Sequence, residues 1–482
     1  MSRPLSALCL AAAVAAASAC ATNPATGRRQ LSLMSEPQEV QIGGEQDAQI
    51  RREMGVYADP ALQQYVSEIG LRLARASERP DLPWHFTVVD VAAVNAFALP
   101  GGYIYITRGL LPFLEDEAQL AGVLGHEIGH VTARHAAQQY SRAMSAGLGL
   151  LLGSLFVPEA RPFAEAGETG LGLLFLKYGR DDEVQADALG VRYAARAGWD
   201  PAAVPQMLAT LGRIEEASDR KGVPNWLSTH PSPDNRVQRV QAVVDQAERG
   251  ATRFAADRAG YLRRIDGLVY GDNPEQGVVR GRTFLHPGLR IALDFPDAWR
   301  VENGPTQVVA TQPGANAVML LEVQQDVRVE SLEDAALGQM RRGGFQEISG
   351  AETTINSLNA YLGAYRGSLK DFGRVGVLAA HLVRGRSLFL VAGFASMPIY
   401  ARSEAVFSQS IRTFRSLTIA EANAIRPNRI DLYTARDDDT WPSIARREGR
   451  GVVGADLLAI MNGRPPADPP RAGERLKIVV PG

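Results

Sequence analysis

One short segment restricts the possible folds of this chain more than any other: GVLGHEIGHVTARH, residues 122–135, has two histidines four positions apart and a glutamate between them. The apolar residues around them predict a buried helix over residues 115–140. Successive helical residues are about 100° apart, so His126 and His130 project from one face, whereas Glu127 lies about 100° from His126. The two histidines can therefore reach one ion, and the glutamate can reach a water molecule bound to it.

This division of labour is that of HExxH zinc hydrolases, in which two histidines bind the metal and the glutamate is the general base. The alternative is a pair of histidines packed in the protein core beside a buried glutamate. Burial of the Glu127 carboxylate without a partner would cost several kcal/mol. A cation supplies that partner, which favours a metal site with one zinc ion per chain.

The third ligand does not follow the metzincin pattern, HExxHxxGxxH. That pattern requires glycine at position 133 and histidine at position 136, and alanine occupies both positions. His135 comes one residue early, and on a continuous helix it would lie about 180° from His126. We therefore expect His135 to point away from the metal and the third ligand to come from another segment.

The segment DDEVQADALG, residues 181–190, offers that ligand. Glu183 and Asp187 are four residues apart and lie on one helix face. Glu183 can complete a site of two histidines and one glutamate, which leaves the fourth metal position for water. Asp187 can accept the free ring N–H of a ligand histidine. An isolated pair of this kind would be interpreted as a solvated acidic face, but the upstream HExxH favours ligation.

A further histidine, His230, lies in LSTHPSPDNRV, and its residue type leaves three roles open. It could be a fourth metal ligand, it could stabilise the oxyanion of a tetrahedral intermediate, or it could be a structural loop residue. The first role would close the metal site, because sites with four protein ligands are structural and sites with an open position are catalytic.

Four motifs in this order, NAFALPGGYIYITRGLL, EDEAQLAGVLGHEIGHVTARH, EVQADALG and THPSPDNR, resemble one family. It is the HtpX- and CAAX-prenyl-protease-related zinc metallopeptidases, peptidase family M48, and within it the periplasmic BepA-like branch. The resemblance covers about residues 40–250 and implies a metalloendopeptidase of the gluzincin type.

The resemblance also implies roles for particular residues. It makes Glu127 the base, Asp187 a supporting or proton-handling acid, and the GGYIYIT strand an edge strand that pairs with an extended substrate. The metal ligands that it implies are His126, His130 and Glu183, with His230 at a position beside the metal.

The length of 482 residues predicts several domains. Residues 46–262 are predicted to form the zinc metallopeptidase domain, mainly α-helical with a small edge sheet. Residues 283–418 alternate as strands do, and they resemble the α+β PsbP/Mog-like fold. Residues 427–482 resemble a small βααβ LysM domain, which would make peptidoglycan a partner.

The N-terminus resembles a bacterial lipoprotein signal. Residues 1–19 have a short apolar region that ends in small residues, and Cys20 follows. Lipidation of Cys20 would anchor the protein, and the absence of Asp at position 21 implies the outer membrane as its site in the periplasm. Residues 20–45 are polar and predict a tether. Ordinary signal cleavage near Ala19 is the alternative.

These observations predict a zinc-dependent endopeptidase of the cell envelope that degrades unfolded, misfolded or misassembled periplasmic and outer-membrane proteins. A latent protease that acts as a chaperone or assembly factor for envelope proteins is the alternative. The net charge of −2 argues against a nucleic-acid partner.

Overall fold

The computed structural model describes residues 20–142, 178–218, 226, 230, 235–249, 254–304, 307–369 and 372–482. The predicted signal peptide, residues 1–19, lies outside these ranges. The described residues divide into two compact units. The first unit comprises those within 1–51, 55–268 and 429–480, and the second those within 52–54, 269–428 and 481–482. Among the helices of these ranges, none has both the length and the apolar character required to cross a membrane.

The N-terminal part of the first unit is folded where the sequence predicts a tether over residues 20–45. Strands β1 (Cys20–Thr22) and β2 (Arg29–Leu31) pair antiparallel, and helix α1 (Glu36–Met54) follows. The buried Asn23 donates its Nδ2–H to the carbonyl of Ala133 at 3.1 Å. The hairpin therefore lies against the end of the segment that carries HExxH.

Helix α2 (Pro60–Arg75) precedes a small sheet of β3 (His85–Val89), β4 (Ala96–Leu99) and β5 (Tyr103–Thr107). Their order is β3-β5-β4, with β5 parallel to β3 and antiparallel to β4. The strand within GGYIYIT is thus central, and the prediction that it is an edge strand is wrong. Among the described residues, β3 and β4 are the two edge strands of this sheet, one on each side of β5.

Helix α3 (Glu117–Thr132) carries HExxH and is capped by Asp116, whose side chain accepts the backbone N–H of Gln119. Helix α4 (Arg180–Arg196) packs directly on it. A Cβ atom added at Gly125 would lie 3.1 Å from the carbonyl oxygen of Gly190, and one at Gly129 would lie 3.0 Å from that of Ala186. Glycine at these positions lets the two helix backbones approach closely, which brings the two predicted ligand segments together.

Helix α3 ends at Thr132, eight residues before the predicted end at 140. Arg134 has a φ angle of 59°, in the left-handed region, and a new helical segment begins at His135. Arg134 is held in this conformation by Glu39, which pairs with its Nε, and by the carbonyl of Met34. His135 therefore does not have the orientation that a continuous helix would give it.

The first unit is completed by α5 (Ala203–Ser218), α6 (Arg236–Ala247), α7 (Arg258–Ile265) and the C-terminal elements β18 (Asn428–Thr434), α11 (Trp441–Arg447), α12 (Ala455–Met461) and β19 (Arg475–Val480). These last four have the βααβ order predicted for residues 427–482, and β18 pairs antiparallel with β19. They belong to the same compact unit as HExxH, whereas the sequence predicts a separate domain. Their LysM-like character stays a prediction.

The C-terminal strand is joined to the start of the HExxH segment by a buried ion pair. The fully buried Nζ of Lys477 lies 2.6 Å from Oε1 of Glu115 and donates to the carbonyl of Leu114, also at 2.6 Å. Arg258 pairs with the other carboxylate oxygen of Glu115 at 3.0 Å. Because Glu115 lies just before the helix cap, β19 stabilises the N-terminal end of α3.

We expect Lys477→Met to lower the free energy of unfolding by about 3 kcal/mol, the lower end for a broken buried pair, because Arg258 still pairs with Glu115. Urea denaturation followed by tryptophan fluorescence measures the change. Arg471→Met, at an exposed position, is the control and should change stability by less than about 0.5 kcal/mol. A Lys477→Met protein as stable as the control would show that the C-terminal elements do not stabilise the first unit.

The second unit is a mixed α and β structure. Its helices are α8 (Leu332–Arg342), α9 (Met397–Ile411) and α10 (Ile419–Asn423). Its strands are β6 (Val269–Tyr270), β7 (Val278–Arg280), β8 (Thr283–His286), β9 (Ile291–Asp294), β10 (Arg300–Asn303), β11 (Gln307–Thr311), β12 (Ala317–Gln324), β13 (Gln346–Ile355), β14 (Leu358–Leu369), β15 (Gly373–Arg384), β16 (Ser387–Ser396) and β17 (Arg415–Ser416).

The strands of the second unit form two sheets. Seven strands form one sheet in the order β10-β11-β12-β16-β15-β14-β13, and four form another in the order β17-β9-β8-β7. Met340 of α8 packs in the core on one face of the large sheet, and Phe407 of α9 packs in the core on the other.

Candidate metal centre

Four predicted ligands meet at one point in the first unit. One possible ligand atom from each lies within 4.8 Å of those from the others, and all four side chains are buried. Helix α3 provides two of them, α4 provides one, and the fourth precedes α6. They are His126, His130, Glu183 and His230.

The distances between these atoms fit a single small cation. Nε2 of His130 lies 3.0 Å from Nε2 of His126, and these nitrogens lie 3.5 and 3.6 Å from the carboxylate oxygens of Glu183. Ligand atoms about 2.0–2.1 Å from a tetrahedral zinc ion are about 3.3 Å apart. Two neutral ring nitrogens can share one hydrogen atom, whereas a cation between them also satisfies the carboxylate. The donor set therefore fits zinc.

Glu127 lies beside this cluster and is fully buried. Within the described part of the chain, neither of its carboxylate oxygens has a hydrogen-bond partner. Its nearest ionic neighbour is Nε2 of His230, at 3.5 Å. Burial raises the pKa of Glu127, although His230 and His126 act in the opposite direction. A buried carboxylate without a hydrogen-bond donor is available to accept a proton from a water molecule.

Asp187 lies behind the first predicted histidine ligand. Its Oδ1 is 2.9 Å from Nδ1 of His126. Burial raises the pKa of Asp187, but Arg236 and His126 outweigh burial and lower this pKa to about 2. The carboxylate is therefore ionised, accepts the Nδ1–H of His126 and leaves Nε2 of that ring free to bind a metal.

Arg236 was not identified from the sequence, although it is the last residue of the motif THPSPDNR. Its side chain is buried, and its Nε and Nη2 donate to the two oxygens of Asp187 at 2.7 and 2.8 Å. Nη2 also lies 3.0 Å from Oε2 of Glu183. The guanidinium thus holds both Asp187 and Glu183 of α4. Its place in this motif is the only feature of the sequence that indicates a role for Arg236. An arginine beside a helix start is otherwise expected to be exposed.

His230 faces the cluster with Nδ1, which lies 3.0 Å from Oε1 of Glu183 and 3.4 Å from Nε2 of His126. Its ring stacks on Trp226 with centroids 4.1 Å apart. Burial lowers the pKa of His230, but Glu183 and Glu127 outweigh burial and raise it overall. This position is compatible with His230 as a fourth ligand and with His230 as a group beside the substrate. It is not compatible with a structural loop residue remote from the site.

Two further aromatic side chains surround His130. Tyr178 stacks on its ring with centroids 3.7 Å apart, and His135 contacts it from the same chain segment. His135 is not among the four clustered residues, and the expectation that it points away from the site is wrong, because its ring contacts that of His130. No sequence pattern indicated Tyr178.

Residues 60–244 match the model of Peptidase family M48. The chain is 28% identical to the beta-barrel assembly-enhancing protease of Yersinia pestis over 362 residues, 70% of this chain and 73% of that protein. The protein of that name in Escherichia coli K12 is 33% identical over 224 residues, 45% of this chain and 46% of its own length. The mitochondrial metalloendopeptidase OMA1 of Arabidopsis thaliana is 35% identical over 166 residues, 34% of this chain and 32% of its own length. The chain thus spans less than half of these last two relatives.

Among solved structures, the solution structure of cyanobacterial PsbP from Synechocystis aligns with 30% of this chain and 98% of its own, at 12% identity and a TM-score of 0.23. This similarity is too low to assign a fold, so the PsbP/Mog-like assignment of residues 283–418 stays a prediction.

The family match spans α3, α4 and position 230, and it therefore includes every predicted ligand and acid of the cluster. The relatives from bacteria and from Arabidopsis thaliana are named as a protease and a metalloendopeptidase. The resemblance seen in the four sequence motifs is thus confirmed. This chain carries a domain of peptidase family M48.

Proposed function

We propose that the protein is a zinc-dependent endopeptidase of the cell envelope. The observation that carries the proposal is the convergence of His126, His130 and Glu183 beside the fully buried Glu127, whose oxygens have no hydrogen-bond donor in the described ranges. Three protein ligands leave a position for water, as in catalytic zinc sites.

The residues of the site then have separate roles. When bound, zinc supplies a Lewis acid that polarises the scissile carbonyl and lowers the pKa of water. Glu127 takes a proton from that water and returns it to the amine that leaves. Asp187 keeps His126 in the tautomer that binds through Nε2, and Arg236 keeps Asp187 ionised. We therefore assign Asp187 a positioning role, because its Oδ1 already accepts from His126 and its Oδ2 from Nε of Arg236.

Strand β4 is the element proposed to bind an extended substrate. Among the described residues it is one of the two edge strands of its sheet, and an edge strand can pair with a peptide backbone. The carbonyl of Ala96, at the start of β4, lies 3.4 Å from Nε2 of His230. A peptide added to this edge would therefore lie beside the cluster, and this replaces the role that the sequence assigned to the GGYIYIT strand.

The substrates that we propose are unfolded or misassembled envelope proteins. Two of the relatives are named beta-barrel assembly-enhancing proteases, which supports this class. Anchoring to the outer membrane through Cys20 and binding of peptidoglycan through residues 427–482 complete the proposal. Both rest on the sequence patterns described above.

Metal removal tests the catalytic part of this proposal. We expect a chelator to abolish casein digestion, and one equivalent of zinc per chain to restore it, since Glu127 alone cannot polarise the scissile carbonyl. Metal content by mass spectrometry and digestion rate should change in parallel. Digestion at the full rate by a sample without metal would contradict the proposal.

The alternative is a latent protease that serves as a chaperone or assembly factor, and the position of His230 favours it. If Nδ1 of His230 is the fourth ligand, it occupies the place of the catalytic water. We then expect His230→Ala to digest casein faster than the wild type and still to bind zinc. A slower variant with unchanged zinc content would instead assign His230 to substrate or oxyanion binding.

A further inference from the structure

A second buried histidine, His135, lies behind the predicted ligand His130. Nδ1 of His135 lies 2.9 Å from Nδ1 of His130, the ring nitrogen that faces away from the clustered ligands. On its other side, Nε2 of His135 lies 2.7 Å from Oε1 of Gln185 on α4. His135 has no exposed surface.

The chemistry of imidazole determines which nitrogen donates and which accepts a hydrogen bond in each of these contacts. A neutral histidine that binds a metal through Nε2 has its hydrogen on Nδ1. Nδ1 of His130 must then donate to Nδ1 of His135, which must accept. His135 consequently has its hydrogen on Nε2 and donates it to the amide oxygen of Gln185. Each donor in this chain of contacts then finds an acceptor.

The backbone is arranged so that His135 reaches this position. Arg134 interrupts the helix with its left-handed conformation, and Glu39 and the carbonyl of Met34 hold its side chain. Without this turn, His135 would lie on the far side of a continuous helix. The residue carrying the strained φ angle is thus the one that directs the ring toward His130.

We propose that His135 is a positioning residue for the metal, which fixes the tautomer and the ring orientation of His130 and so raises the affinity for zinc. The two histidine ligands would then be oriented by groups of different chemistry. His126 is held by an ionised carboxylate and His130 by a neutral imidazole. This inference rests on the proposed zinc site, and outer partners of this kind change metal affinity by roughly 10–100-fold.

The test compares zinc dissociation constants of full-length variants, measured by competition with a chromophoric chelator. His135→Phe keeps a ring but has no acceptor, so we expect zinc binding to weaken by roughly 10–100-fold. His135→Asn places an amide oxygen near the position of Nδ1, and we expect it to recover most of the affinity. His381→Phe is the matched control, because His381 is also fully buried but lies on β15 of the second unit. It should leave zinc affinity unchanged.

Two outcomes would overturn the inference: a folded His135→Phe protein with wild-type affinity, or a His135→Asn protein as weak as His135→Phe. If His135→Phe does not fold, Gln185→Leu removes the outer acceptor while His135 remains. That variant should weaken zinc binding by a smaller factor, and an unchanged affinity would count against the inference. Failure of the proposed zinc site is distinguishable, because the wild type itself would then not bind zinc. Failure of the proposed activity alone would appear in casein digestion and not in the zinc dissociation constants.

Discussion

Glu127→Gln should lower kcat/KM for casein by roughly 10²–10⁴-fold while the protein still binds one equivalent of zinc. Glutamine has the same shape as glutamate, but its amide cannot accept a proton from water at neutral pH. Glu127 is not among the four clustered ligand residues, so its replacement should leave metal binding intact. The expected signature is loss of catalysis without loss of metal.

The stability of this variant provides an independent check on the role of Glu127. A fully buried carboxylate without a hydrogen-bond donor destabilises the metal-free protein, so the neutral amide should not lower its melting temperature. Glu248→Gln, at an exposed position, should leave both activity and stability unchanged. If Glu127→Gln digests casein at the wild-type rate with zinc bound, the enzymatic proposal is wrong and the chaperone or assembly-factor proposal is favoured.

The candidate ligands could be predicted from the sequence because the geometry within each helix is local. The spacing of His126 and His130, and that of Glu183 and Asp187, is set by the pitch of one helix. Glycine inside a helix is typical of close packing, but Gly125 and Gly129 do not identify the packing partner, which the structure shows to be α4.

What the sequence could not predict depends on contacts between distant segments. The position of His135 follows from a helix end that Glu39 stabilises from almost a hundred residues away. The burial of Arg236 depends on Asp187, and only the fold brings the two together. Strand order is also non-local. However, the largely apolar run of Tyr103–Thr107 was a usable signal, since central strands are covered on both faces.

Arg236→Met should have the largest effect on stability. It leaves Asp187 and Glu183 buried without their shared cation, and removal of one partner from a buried ion pair costs roughly 3–5 kcal/mol. Methionine is similarly long and apolar, so little of the cost should come from lost packing. Zinc affinity should fall as well, by roughly 10–100-fold, because Asp187 no longer orients His126.

The pH dependence of this loss identifies its cause. Arg236, together with His126, lowers the folded pKa of Asp187 to about 2, below its value of about 3.9 in an unfolded chain. The stability that comes from this shift is therefore fully present above about pH 4 and is lost as the pH falls toward 2. The difference between the wild type and Arg236→Met, measured by urea denaturation of the metal-free proteins, should shrink over that range.

Three variants separate charge from geometry at this position. Arg239→Met, at an exposed position on the same helix, should stay within about 0.5 kcal/mol of the wild type. Arg236→Lys keeps the charge but not the two parallel donors, so it should be intermediate in stability. Adding Asp187→Asn to Arg236→Met removes one unpaired charge and should recover stability, yet zinc affinity should stay low because an amide is a weaker acceptor for His126 than a carboxylate. If the double variant is no more stable than Arg236→Met alone, charge burial is not the source of the loss.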